Sequence, residues 1–353
     1  MSEVDAGEPR LGRYAAYYFC YYAAIGATTP YLSRWADALG HGGFVIGALM
    51  GLWYGSRILA PPLWALLLQR SQRPGHWFVA GSALTLLAFS AFVFAREAWA
   101  LLVVMAVFGL FYNAVMPQFE AMTLSALGTR TERYGRVRVW GSIGFLLVSG
   151  SYGSLLDATG SLAFPWLVLP LLAAMLLAAW PHRHERPLPE PVTASADPAD
   201  HLWRRPGVRR FLLMALLMQI GFGPFYVFFT LHLQAAGHDG GTVGLLWATG
   251  VLIEIALFWH APRLIARFGA ARLLGIAMAV TVVRWLVTAF FATSLPVMLL
   301  AQASHALGFA IFHACTMQLM THYFPGKRQA AGQSLLYGFS SGVGGVLGAG
   351  IAA

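Results

Sequence analysis

Eleven long apolar runs constrain this chain more than any other feature. A helix needs about 20 predominantly apolar residues to cross the hydrocarbon core of a bilayer. The runs cover approximately 13–34, 43–68, 76–95, 98–127, 135–156, 162–180, 208–233, 242–261, 272–293, 295–320 and 329–353. Lipid offers backbone N–H and C=O groups no partners, so runs of this length fold as helices. A membrane barrel would need short alternating segments, and these runs do not alternate. Of the 353 residues, 58% are hydrophobic and only 10% are charged. Mean hydropathy is +0.64. A soluble domain carries roughly 25% charged residues. The expected class is an all-α polytopic membrane protein, and soluble-enzyme readings are set aside.

Charge placement orients the helices. The formal net charge is +9, with 23 Lys+Arg against 14 Asp+Glu. In a soluble protein that balance would suggest nucleic acid; here the basic residues fall in short loops, which is a topology signal, and no nucleic-acid partner is expected. With a cytoplasmic N-terminus, the inner loops hold Arg10, Arg13, Arg70, Arg73, Arg130, Arg133, Arg136, Arg138, Arg183, Arg186, Arg204, Arg205, Arg209, Arg210, Arg263, Arg267, Arg272, Lys327 and Arg328. The outer loops hold only Arg34 and Arg96, while Arg57 and Arg284 lie within spans. The N-terminal MSEVDAGEPR is polar, and the run after it lacks a small-residue cleavage site. It reads as a first span, not a removed signal peptide. Cys20 and Cys315 both sit in apolar runs and read as packing residues.

The segment 181–207, which opens with PHRHERPLPEPVTASADPAD, is rich in Pro and charge. It reads as a cytoplasmic linker between a six-helix bundle, 1–180, and a five-helix bundle, 208–353. His182 and His184 read as part of that solvated loop, not as metal ligands. A weak repeat supports two halves: PPLWALLLQRSQRPG after the second run and APRLIARFGAARLL after the eighth. Duplicated halves are the usual plan of secondary transporters. A two-times-six plan needs one more span than the sequence holds, so the twelfth helix is either lost or lies outside it.

Ionisable groups inside a span are costly and mark function by default. Arg57, Glu120, Glu254 and Arg284 are the four, and Arg138 opens the fifth span. Asn113, Pro117 and Glu120 recur at helical spacing on one face. Arg138 is expected to pair with Glu120 across the turn, its planar fork suiting either that carboxylate or a substrate. Arg57 is about a dozen residues from either end of its span, too deep to reach the surface easily. Glu254 has apolar neighbours, which favour its neutral form and suit a proton carrier; pairing with Arg284 is the structural alternative. Gln302, His305 and His313 make a rough polar stripe on the tenth run. Tyr14, Tyr18, Tyr21 and Tyr22 form a tyrosine face on the first, with Tyr18 and Tyr22 favoured for a pocket. Phe222, Phe225, Tyr226, Phe228 and Phe229 form either a facing wall or a lipid surface. Glycines in the fifth and eleventh runs read as close helix packing.

YNAVMPQFEA, RYGRVRVWGSIGF, TVGLLWATGVLIEIALF, VVRWL and AQASHALGFAIFHA together resemble the major facilitator superfamily. More narrowly, they resemble its 3-phenylpropionate transporter family, with lactose permease a more distant likeness. The resemblance covers nearly the whole chain. It implies a fold of two pseudo-repeated bundles with twelve spans, proton symport and no cofactor. Glu120 and Arg138 match the lactose permease sugar-binding pair in their separation of eighteen residues. Arg284 and His305 fall on its proton site, but Gly308 and Gln302 replace a carboxylate and a lysine there. Span 7 has no carboxylate, and the span-8 Glu is displaced by about one turn. Glu254 and Arg57 instead resemble the phenylpropionate branch. The superfamily signature after span 2 is degraded at Gln69 and Gln72, with Arg70 and Arg73 kept.

The expected function is proton-coupled symport of a small organic solute, such as an aromatic monocarboxylate, by alternating access. The expected place is the bacterial inner membrane, with the N-terminus cytoplasmic and the protein a monomer. Arg57, Arg138, Glu120, Asn113, Tyr18 and Tyr22 would bind the solute. Glu254, Arg284, His305, His313 and Gln302 would couple the proton. A sugar or nucleoside symporter is the alternative within transport, and an inactive or non-transporting permease the alternative outside it. With no metal triad, no HExxH and no nucleophile–base spacing, an enzyme is not expected.

Overall fold

A computed structural model describes residues 11–69, 71–128, 130, 133–185, 205–324 and 329–353. Its helices follow the apolar runs to within a few residues at most ends. They are α1 (Leu11–Ala38), α2 (Gly43–Gln69), α3 (Pro74–Val93), α4 (Ala98–Leu127), α5 (Tyr134–Thr159), α6 (Ser161–His182), α7 (Pro206–Ala235), α8 (Gly240–Phe268), α9 (Ala270–Phe290), α10 (Leu295–Tyr323) and α11 (329–352). Nine of these, α2 to α10, are long and apolar enough to cross a membrane. The tyrosine-rich α1 and the glycine-rich α11 are not among the nine, so the expected count of eleven spans is not matched by hydropathy alone.

Turns between helices use local chemistry. Asp239 caps α8, its carboxylate accepting from the Thr242 N–H at 2.7 Å, as an N-cap residue should. A single residue, Gly269, turns α8 into α9 at φ +79°, a conformation that costs a residue with Cβ dearly. Two helices contain a wider, π-helical stretch: Leu307–Ile311 in α10 and Tyr337–Gly344 in α11.

α1 packs chiefly on α5 and α6, α2 on α4, and α3 on α4 and α6. Later in the chain, α8 packs on α10, α9 on α10, and α7 on the end of α11. Two extensive seams join these groups, α5 with α8 and α2 with α11, supplemented by α1 with α7. Aromatic side chains fill the core of the first group: Tyr17, Phe78 and Phe119 stack together, as do Trp35, Phe89, Phe92 and Phe164. Tyr21 and Tyr112 bond each other's main-chain carbonyls, at 3.4 and 2.5 Å, which ties α1 to α4.

The α5–α8 seam closes the end of the molecule where α1 finishes. Gly153 and Gly240 meet backbone to backbone, and so do Gly150 and Gly244, with no room for a Cβ at Gly153, Gly240 or Gly244. Asp157 of α5 accepts from the Gly240 N–H at 2.7 Å and pairs with Arg34 of α1 at 2.8 Å. The Tyr31 hydroxyl donates to Ser149 O at 2.7 Å. The Gln234 amide of α7 lies 3.2 Å from the Arg34 guanidinium.

The opposite end shows one departure from the sequence reading. His182 is fully buried, not part of a solvated loop. Its ring packs on Tyr14 and Phe119, and its Nδ1 lies 2.8 Å from Glu185. Glu185 also takes a 2.6 Å hydrogen bond from Tyr14 and a 3.1 Å ion pair from Arg13. The first residues after α6 are therefore docked on α1, because a buried imidazole needs a polar partner. Residues 186–204 of the linker lie outside the described residues.

Candidate functional site

The charged groups converge on the interior between the two helix groups. Tyr337 of α11 lies in the electrostatic field of Glu120, Arg57 and Arg138, although these belong to α4, α2 and α5. Tyr226 of α7 lies in the field of Glu254, Arg284 and Arg57. His313 of α10 likewise lies in the field of Arg138. Residues far apart in sequence thus share one electrostatic environment.

On the α1–α6 side, Arg138 lies over Tyr22 at 4.0 Å and over Tyr18 at 5.5 Å. Both distances are within the range of a cation–π contact. The Gly141 backbone makes room, since a Cβ there would strike Tyr22 and Arg138. The expected Glu120–Arg138 ion pair does not form within 4.0 Å among the described residues. Glu120 instead receives the Tyr134 hydroxyl at 3.4 Å, and Arg138 influences it only through its field. The physical reason is placement: the rings of Tyr22 and Tyr18 hold the guanidinium against α1, out of contact with the carboxylate. The Tyr18 hydroxyl is buried with no hydrogen-bond partner among the described residues. Arg57 stacks on Trp53 at 5.6 Å and Tyr54 at 5.1 Å and is otherwise exposed. Asn113 donates from Nδ2 to Ser56 Oγ at 2.8 Å, with the Trp53 carbonyl at 3.4 Å, and so clasps α4 to α2.

The α7–α11 side carries the coupling candidates. Glu254 contacts His305 Nε2 at 3.2 Å, and no ion pair to Arg284 forms within 4.0 Å. Phe225 is the hub: its ring lies 4.7 Å from His305, 4.6 Å from Trp247 and 4.9 Å from the Arg284 guanidinium. Arg284 also lies over Trp285 at 4.4 Å. Gln302 is fully buried one turn before His305. His313 packs on Phe258 of α8 at 6.0 Å, one turn beyond Glu254, which His305 meets. The π-helical stretch Leu307–Ile311 helps keep both histidines toward α8, because eight ordinary helical steps would set them about 80° apart and a wider turn takes up most of that.

Sequence reasoning passed over several members of this arrangement. Trp285, Trp247 and Tyr134 are ordinary aromatics in an aromatic-rich chain, with no spacing signal to single them out. Arg34 and Asp157 were legible as charges near span ends but carry no motif. The apolar pocket lined by Thr28, Met50, Trp53 and Phe108 contains no charged group and lies among the early helices.

Comparison with known proteins agrees with this architecture. The model of the MFS_1 like family matches residues 11–352. A probable 3-phenylpropionic acid transporter of Escherichia coli (strain K12) is 30% identical over 312 residues, covering 85% of this chain and 79% of that protein. A maltose permease of Geobacillus stearothermophilus is 28% identical over 275 residues, covering 76% and 68%. Among solved structures, the nucleoside transporter NupG superposes with a TM-score of 0.85 at 14% identity, covering 97% of this chain and 90% of that one. The helical architecture and these matches identify the chain as a membrane-embedded secondary transporter, not an enzyme, and it belongs to the MFS_1 like family of the major facilitator superfamily.

Proposed function

We propose that this transporter is a proton symporter for a small organic anion, with an aromatic monocarboxylate such as 3-phenylpropionate as the favoured substrate. The observation that carries it is the Glu254–His305 contact at 3.2 Å, deep among bilayer-crossing helices and beside Arg284. A carboxyl and an imidazole at that distance can share a single proton. Loading the proton neutralises a charge that is costly to move through the bilayer. The resemblance to the E. coli 3-phenylpropionic acid transporter supports the substrate class. Arg57 and Arg138 supply positive potential to attract the anion, and Tyr18 and Tyr22 offer aromatic faces to its ring.

Alternating access would rock 1–180 against 208–353 around this interior. The excess of arginines in the loops on one side supports an N-terminus on the cytoplasmic side of a bacterial inner membrane. The Gly153–Gly240 seam would then be a closed outer gate, and the conformation inward-facing. A monomer suffices for this cycle.

The decisive experiment is uptake of labelled 3-phenylpropionate into proteoliposomes under an imposed pH gradient. Glu254→Gln should abolish the gradient-driven component while leaving exchange of solute intact. Retained gradient-driven uptake would remove the proton assignment. A sugar or nucleoside symporter is the second reading, supported by Glu120 with its Tyr134 partner beside Arg138 and by the maltose permease relative.

A further inference from the structure

Arg284 is a buried cation with no acceptor. It is 2% exposed, and none of Nε, Nη1 and Nη2 has a hydrogen-bond partner among the described residues. An unpaired charge in a low-dielectric interior is strongly unfavourable, so this is not a resting arrangement for a packing residue. Neighbouring groups cannot supply the acceptor. Glu254 is engaged by His305. Position 308 is glycine, and the space a Cβ would take there is filled by the Thr281 hydroxyl at 2.5 Å, itself bonded to Ala277 O.

Further unsatisfied polar atoms lie in the same helices. Gln302 is fully buried, with both amide atoms unpartnered, and the Trp285 Nε1 and Thr288 Oγ1 atoms on α9 are buried and unpartnered too. Gln302 and His305 flank Gly250 of α8: a Cβ there would lie 3.3 Å from Gln302 Oε1 and 3.5 Å from the His305 ring. Phe225 and Trp285 lie against the guanidinium, their ring centres 4.9 and 4.4 Å away. Neither ring gives the N–H donors an acceptor, so those donors are the part left to bind. A guanidinium edge matches the two oxygens of a carboxylate.

We infer that Arg284, supported by the Gln302 amide, forms the seat for the carboxylate of the transported acid. Arg57 and Arg138 then act as attracting charges, and the solute itself supplies the counter-ion that the protein lacks. The Phe225–Trp247 wall beside the seat takes the apolar part of the acid. This rests on the organic-anion reading above and adds to it the residue that holds the charge.

The test uses the purified full chain in detergent, titrated calorimetrically with 3-phenylpropionate, benzoate and acetate. The neutral isostere 3-phenylpropionamide is the control. The parent should bind the acid more tightly than the amide. Arg284→Gln should weaken the acid by about 10- to 100-fold, the range expected for losing hydrogen bonds to a charged group, and leave the amide within about threefold. Arg284→Lys should restore part of the acid preference, and Gln302→Leu should lower it by a smaller factor. These two guard against a folding defect in the first variant. Acid preference undiminished in folded Arg284→Gln, or in Gln302→Leu together with Arg284→Lys, overturns the inference and leaves the symporter reading standing. Arg284-dependent acid binding without any pH-coupled uptake supports the inference while the symport reading falls. No binding of any carboxylate by the parent overturns both.

Discussion

Asp157 is the residue whose removal should most directly loosen the α5–α8 seam. Its carboxylate makes two contacts of different consequence. The Arg34 pair joins α1 to α5, within one helix group, so it persists whether or not the seam is open and drops out of the opening equilibrium. The 2.7 Å bond from the Gly240 N–H crosses the seam. It also places a negative charge at the start of α8, where the helix dipole favours one. A hydrogen bond to a charged group is worth about 1.5–3 kcal/mol. The Asp157 side chain is 39% exposed, so the lower part of that range applies, about 1.5–2 kcal/mol. At about 1.4 kcal/mol per decade, Asp157→Ala should raise the open fraction about 10- to 30-fold. The assay is double electron–electron resonance with spin labels at exposed Thr159 and Ala235, after replacing Cys20 and Cys315. The expected result is a new long-distance population in Asp157→Ala. A distance distribution identical to that of the labelled parent would refute the reasoning and leave the seam held by its glycine backbones and the Arg34–Gln234 contact.

Other outcomes follow from the same structure. Gly153→Ala has no room against the Gly240 carbonyl; it should shift the same spin-label distances outward and lower the melting temperature. Gln118→Leu strands the Trp64 indole N–H and the Pro74 carbonyl, which the amide now satisfies at 2.7 and 2.8 Å. It should cost about 1–3 kcal/mol per stranded group, read by thermal unfolding in detergent. Burial acting alone would raise the Glu185 carboxyl, but hydrogen bonds from His182 and Tyr14, with the charges of His182 and Arg13, outweigh it and hold the group below its ordinary 4.5. A lowered carboxyl stabilises the fold above its ordinary value and loses that contribution as pH falls through the lowered one. Glu185→Gln should therefore be less stable than the parent at pH 7 and converge with it in acid, measured as melting temperature against pH. Asn113→Ala should weaken the α2–α4 clasp by about 1 kcal/mol without changing the acid-over-amide preference.

How much of this was legible in the sequence depends on the kind of information needed. Helix positions were, because about 20 apolar residues in lipid admit one solution. The intramembrane charges were too, since Arg57, Glu120, Glu254 and Arg284 stand out from apolar neighbours. Their partners were not. Glu120 and Arg138 have the right separation for a pair, yet Tyr22 and Tyr18 hold the guanidinium against α1, and ring placement depends on how α1 packs on α5. His182 looked solvated because its neighbours in sequence are polar; its neighbours in space are Tyr14 and Phe119. Asn113 shares a face with Glu120, but that face meets Ser56 before it meets any cavity.

The wide turn in α10 has a consequence for how this helix tolerates change in length. A residue added to an α-helix without being absorbed would rotate everything after it by about 100°. Leu307–Ile311 spreads such an excess over five positions, so His305 meets Glu254 and Gly250 of α8 while His313 meets Phe258, one turn further along the same helix. Deleting one residue inside the stretch should let it tighten to ordinary α geometry with both sets of contacts kept. Adding a second would find no slack to take it up. The helix in effect carries one spare residue, and the slack joint keeps both of its histidines turned toward α8.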